Sequence, residues 1–163
     1  MEMQHSNKSK SGTTNLKQYK KLLLMILLSF VAMYVLMYSM VNTFSNVTNN
    51  VNQFYMAGLM TMPMVIIELT VMGSMYMEKK LNAIILLSGM VAMIGFFFCI
   101  REQVGVSDKQ FLKSMIPHHA AAILMVEKAS LTDPEIKNLG KGIIAAQQAE
   151  IEQMKAKLKA LDN

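Results

Sequence analysis

The residues best equipped for chemistry stand together at Met115-Ile116-Pro117-His118-His119. Two of the chain's three histidines are adjacent here, with a methionine three and four residues before them and a proline directly before the pair. Positions i, i+3 and i+4 of a helix share a face, so the Met115 thioether can reach the space of both imidazoles. The histidines themselves are about 100° apart around a helix axis and diverge unless the turn is distorted. Pro117 gives a reason for distortion, since it has no N–H and its ring collides with the carbonyl four residues back. Soft sulfur beside imidazole points to copper before other metals. The competing reading places Met115 in a core and makes the histidines ordinary polar residues of a helix.

A helix opening at Ser107 is expected to carry this group, with Gln110 three residues on as the partner of a capping box. Phe111, Met115, His118, Ala122 and Met125 then follow at spacings of four and three, which is one helix face. Leu112, Ile116, Ile123 and Leu124 widen the apolar surface. This helix should end near Ala129. Asp133 then caps a last helix, with Pro134 at its first position and Glu135 in its first turn. That helix should run to about Leu161 with a seam of Gln147, Ile151, Met154, Leu158 and Leu161. Glu150 lies one turn from Gln147 and from Met154. Helices joined by so short a loop pack antiparallel as a hairpin. Whether Glu150 and Met154 reach His118 depends on a register that the pattern leaves open.

Ahead of this pair the chain reads as a membrane anchor. Residues 22–41 form twenty uncharged residues, a match to the hydrocarbon thickness at about 1.5 Å per residue. Lys20 and Lys21 stand just before them. A signal peptide would have a shorter apolar region and a small-residue cleavage site, so a retained anchor is expected. Further spans are read at 56–77, interrupted by Pro63, and at 81–100. Residues 1–21 make a polar, basic tail, read as flexible, in which Met1, Met3 and His5 form only a weak metal site. Residues 42–55 hold five asparagines and no charge and read as a loop; Asn46-Val47-Thr48 fits a glycosylation sequon there and is assigned no role.

Glu68 falls near the middle of the second expected span, and an ionisable residue there usually faces a bundle interior. Met56, Met60, Met64, Glu68 and Met72 recur at i+4, a row that drifts about 40° per step and winds around the helix. A methionine-lined copper(I) path is one reading. The other, which we adopt, is space-filling methionines with a protonated Glu68 hydrogen-bonded to a neighbouring helix.

The net charge of +5 is a topology signal rather than a nucleic-acid one. Five lysines against one glutamate precede residue 22, whereas residues 107–163 carry eight lysines and seven acids. No arginine stripe with interleaved aromatics exists, which argues against nucleic-acid binding. Cys99 is the single cysteine and sits in an apolar run, so no intrachain disulfide forms.

The stretch FLKSMIPHHAAAILMVE from Phe111 to Glu127, with QQAEIEQM from Gln147 to Met154, closely resembles the bacterial domain-of-unknown-function family 305. That resemblance implies a ferritin-like helical domain outside the cytoplasm, copper-binding in some members and linked to copper tolerance. The three spans before it resemble an architecture in which this domain is displayed on a membrane anchor. Carried over by position, the implied ligands are Met115, His118, His119, Met125, Glu150 and Met154. Many members have longer or duplicated helical domains, while this chain has a single hairpin.

The expected fold is therefore all-α: three transmembrane helices followed by a two-helix antiparallel hairpin at 107–163, a ferritin-like half bundle. The expected function is copper sequestration, tolerance or handover at a bacterial inner membrane. A non-metal assembly module of the cell envelope, with structural histidines, is the alternative. A ferritin-like oxidase needs two E-x-x-H motifs and the hairpin has none, so no enzyme is expected. Zinc held by His118, His119 and Glu150 would leave the methionines unexplained. A hairpin of 57 residues is small for one core, so homo-oligomers are expected, alongside the bilayer and the metal as partners. Lysines at the tail and at the second turn place both in the cytoplasm and the hairpin outside it. A reporter active only in the cytoplasm, fused after Asn163, should be silent. Strong activity from that fusion would contradict the topology.

Overall fold

The computed structural model describes residues 4–162, with side chains described from Leu16 onward. Met1 and Met3 of the weak tail site lie outside the described residues. Among those described there are five α-helices and no strand: α1 (Gln4–Leu36), α2 (Val51–Val71), α3 (Lys79–Arg101), α4 (Asp108–Lys128) and α5 (Pro134–Asp162). Backbone from Gln4 is already helical, where a flexible tail was expected. Extending an existing helix adds one hydrogen bond per residue ordered, far less costly than starting one. Three stretches are long and apolar enough to cross a membrane, namely Leu16–Met40, Val51–Val71 and Lys79–Arg101.

The chain divides into two compact units. The first holds α1 through Tyr34 together with Tyr55–Glu102. Its helices pack around Leu22, Val65, Leu69 and Tyr76. Gly58 lets the Phe96 ring lie against α2, where an added Cβ would fall 2.5 Å from a ring carbon.

The second span is displaced from the expected 56–77. Asn50 sets its start, since Asn50 Oδ1 accepts the Gln53 N–H at 2.8 Å. Its end comes at Val71, before a 3-10 turn at Gly73–Met75. Glu68 therefore sits in the last turn of α2 and not at mid-span. Its Oε1 accepts the Tyr76 hydroxyl at 3.1 Å, so its partner lies in the turn after its own helix rather than on a neighbouring one. Tyr76 stacks on Tyr19 at 5.4 Å between ring centroids. The Tyr19 hydroxyl donates to Asn82 Oδ1 at 2.7 Å, and Asn82 Nδ2 donates to the Tyr76 carbonyl at 2.8 Å. This polar group closes the lysine-flanked end of the unit.

The second unit holds Val35–Phe54 together with Gln103–Asn163. Its core is Ile116, Ala120, Ile123, Ile151 and Met154, with Val41, Leu112, Met115, Ile144 and Leu158 packed against it. Asp133 caps α5 as expected, accepting the Glu135 and Ile136 N–H groups at 2.8 and 3.0 Å. Gly140 of α5 admits Val126 of α4, since a Cβ there would lie 2.8 Å from Val126 Cγ1.

Two expectations for α4 are corrected. Ser107 occupies the cap position but makes no side-chain cap bond. Gln110 instead turns outward, and its Oε1 accepts the Val51 N–H at 3.0 Å, one of the donors that the first turn of α2 cannot satisfy internally. The buried face of α4 is Ile116, Ala120 and Ile123, whereas Phe111, His118 and Met125 of the expected face are exposed. Helix α4 carries two apolar stripes, and the one with isoleucine and alanine permits close helix approach.

The asparagine-rich stretch is an integral part of this unit. Asn46 and Asn50 are each only 4% exposed. Asn46 Nδ2 donates to Asn42 Oδ1 at 2.8 Å, so the sequon is folded away. Thr48 Oγ1 donates to the Lys113 carbonyl of α4. Asn52 Nδ2 donates to Gln103 Oε1 at 2.9 Å.

Candidate functional site

Contacts along α4 and α5 fix which side chains face one another. Near one end, Lys109 pairs with Asp162; further along, His119 Nδ1 lies 3.3 Å from Glu150 Oε2. Beyond that comes the Val126–Gly140 approach. One turn from the His119–Glu150 pair towards Lys109 stand Met115 on α4 and Met154 on α5. Both belong to the same aliphatic cluster, Met154 buried and Met115 half-buried against it. Four of the six sequence-derived site residues are thus gathered: Met115 and His119 at i and i+4, opposite Glu150 and Met154 at i and i+4.

The other two are not. The rings of His118 and His119 lie 6.2 Å apart at 57°, the divergence expected of neighbours on a helix. His118 is exposed. Helix α4 runs unbroken through Pro117, so the proline does not swing the two imidazoles together. Met125 lies ten residues beyond Met115, about 15 Å along the axis. It is exposed and lines an open apolar groove with Val126, Leu131, Ile136, Leu139 and Gly140.

His119 is the most chemically constrained member. Its side chain is 14% exposed while that of Glu150 is 51% exposed. His119 Nδ1 is buried and makes no hydrogen bond, because the carboxylate approaches outside hydrogen-bond geometry. Burial pushes the His119 pKa below 6.5; the Glu150 carboxylate opposes this, and neighbouring His118 adds to it. The folded chain therefore favours neutral imidazole, the form that offers a lone pair to a metal. Among the described residues no three His, Cys, Asp or Glu side chains converge. Within one turn of the His119–Glu150 pair stand the two thioethers of Met115 and Met154.

Residues 67–158, more than half of the chain, match the family described as a domain of unknown function, DUF305, and the chain belongs to that family. The match runs from the end of α2 through α3 and α4 into α5, further upstream than the motifs that suggested it. An uncharacterized protein of Acanthamoeba polyphaga mimivirus is 35% identical over 136 residues, covering 82% of this chain and 88% of that one. No solved structure matches the chain.

Residues 35–54 are the part of the site's surroundings that pattern reading missed. The one signal was Pro117, which leaves a backbone carbonyl in need of a donor, without naming the donor.

The lowered His119 pKa has a direct consequence for stability. An unfolded chain binds the imidazole proton more readily than the folded one, so stability is complete above about pH 6.5 and falls as pH drops through the folded value. Thermal unfolding of the purified chain between pH 7.5 and 5 should show this loss, and His119→Gln should flatten it. An unchanged slope in that variant would contradict the assignment.

Proposed function

We propose that this chain is a membrane-anchored copper-binding protein whose C-terminal helices form an antiparallel hairpin, a ferritin-like half bundle. The observation that supports it most is the pairing of Met115 and His119 on α4 with Glu150 and Met154 on α5. Methionine sulfur and neutral imidazole suit copper(I), and neither thioether has to ionise to bind. Outside the cytoplasm thiolates are liable to oxidise, which makes methionine the durable soft ligand. Glu150, half in solvent, is suited to exchange or to balance the ion's charge. Zinc fits less well, because its usual N, O and thiolate ligands would leave both thioethers unused. Exposed His118 is placed to meet a second ion or a neighbouring chain.

The three spans support a bilayer location, and the lysine asymmetry supports a cytoplasmic N-terminus with the hairpin on the opposite side. Residues 35–54 and 103–163 share one unit, which agrees with both lying on the same face after an odd number of crossings. The bacterial inner membrane remains the setting suggested by the family resemblance, although the mimivirus relative stands outside bacteria. Sequestration or handover, rather than catalysis, is the role we assign.

One observation favours a second reading, a helical assembly module. Phe111, His118 and Met125 form an exposed row at heptad spacing along α4. A second copy would cover that row and complete a four-helix bundle, and this homo-oligomer is compatible with the copper reading as well.

The test uses the full chain in detergent, competed for copper(I) against a chromophoric chelator. Met115→Leu conserves volume and should cost less than about 1.5 kcal/mol in stability. It should nevertheless weaken copper(I) binding by at least about tenfold, roughly 1.4 kcal/mol. His119→Ala should weaken it further. Wild-type affinity in both folded variants would sink the copper reading and leave the assembly module.

A further inference from the structure

We propose that Thr48 is a positioning residue for the histidine-bearing turn of α4, acting through the backbone carbonyl of Lys113. In an α-helix each carbonyl is paired with the N–H four residues on. Pro117 has no N–H, so the Lys113 carbonyl loses its helical donor. Thr48 Oγ1 supplies the replacement from 65 residues away in sequence. The place of the missing helix bond is taken by a side chain of the stretch between the first two spans.

Thr48 is itself held from both sides. Its carbonyl accepts the Tyr38 hydroxyl at 2.8 Å and Asn50 Nδ2 at 3.0 Å, and Asn50 is buried while capping α2. Gln110 of α4 ties the same stretch at the Val51 N–H, and Asn52 next to it donates to Gln103. The hydroxyl therefore arrives pre-aimed.

Its consequence follows from where the proline stands. Met115 lies before Pro117 and His119 after it, so any bend at the proline changes the distance between sulfur and imidazole. A partly buried carbonyl without a donor draws in water or bends the helix, and proline is the usual place for such bends. Thr48 holds the helix unbroken there and keeps the two donors on one face. This role rests on the copper reading of the site, but the backbone argument does not need the metal.

The experiment uses the full chain with selectively ¹³C/¹⁵N-labelled histidine, which gives signals from only three residues. Thr48→Val removes the hydroxyl at nearly constant shape, and Thr48→Ser restores it. In metal-free protein, the valine variant should displace the imidazole signals of His118 and His119 but not of His5, and the serine variant should return them. Copper(I) affinity should fall by about tenfold in the valine variant, the scale of one lost hydrogen bond, and recover with serine. Pro117→Ala gives the helix back its N–H, so in that background Thr48→Val should have little effect on either readout. If the valine variant fails to fold, the same substitution in the Pro117→Ala background should restore folding. Unmoved imidazole signals in folded Thr48→Val, or an equal effect with and without Pro117, would overturn the proposal. If wild-type protein binds no copper, the copper reading fails alone, and the imidazole signals still decide the role of Thr48.

Discussion

The packing of α4 on α5 sets every relation that matters in the second unit. Ile116 and Ile123 meet Ile151 and Met154 in a buried seam, and Ala120 and Gly140 let the helix backbones come close. Removing a core isoleucine from such a seam typically costs about 2–5 kcal/mol, a large share of the stability of a small domain. Register follows from that seam, and the site follows from register. With the helices slid by one turn, His119 would no longer face Glu150, and Met115 would no longer stand across from Met154. The site is thus a by-product of apolar packing at its edge, where one row of side chains is half in the core and half in water.

Polar detail then corrects what packing alone leaves open. Pro117 removes one donor from α4, and Thr48 answers it; the first turn of α2 has an unpaired N–H at Val51, and Gln110 answers that. These exchanges join two stretches that the sequence separates by two apolar helices. In the first unit, Tyr19, Tyr76, Asn82 and Glu68 make a comparable closed set at the lysine-flanked end. Glu68 is consequently a residue of a helix end with a hydroxyl partner, which removes the cost of an isolated carboxyl at mid-membrane.

Much of this fold could be read from residue patterns, and the exceptions have physical causes. The apolar run at 81–100, the amphipathic pattern after Ser107 and the Asp133-Pro134 helix start are local signals, and they place α3, α4 and α5 closely, whereas α1 begins at Gln4 and ends at Leu36 in place of the expected 22–41. The end of α2 was misplaced because Met72 to Met77 are mostly apolar, and hydropathy does not register that Gly73 begins a tighter turn. The buried face of α4 was misjudged because its two apolar stripes score alike by spacing; the choice between Phe111–His118–Met125 and Ile116–Ala120–Ile123 is made by the partner helix. Thr48 was not legible as a partner of Lys113, since nothing local links residues 65 apart. Of the site, the residue types were visible and the pairing of His119, rather than His118, with Glu150 was not.

In the proposed copper site, sulfur and imidazole from this helix pair act together on one ion. X-ray absorption at the copper edge of the full chain loaded with one equivalent of copper(I) tests it most directly. The ion's nearest neighbours should include both sulfur and nitrogen or oxygen, with the sulfur contribution lost when Met115 and Met154 are both changed to leucine. A shell of nitrogen and oxygen alone, or a sulfur contribution that survives the double change, would contradict it.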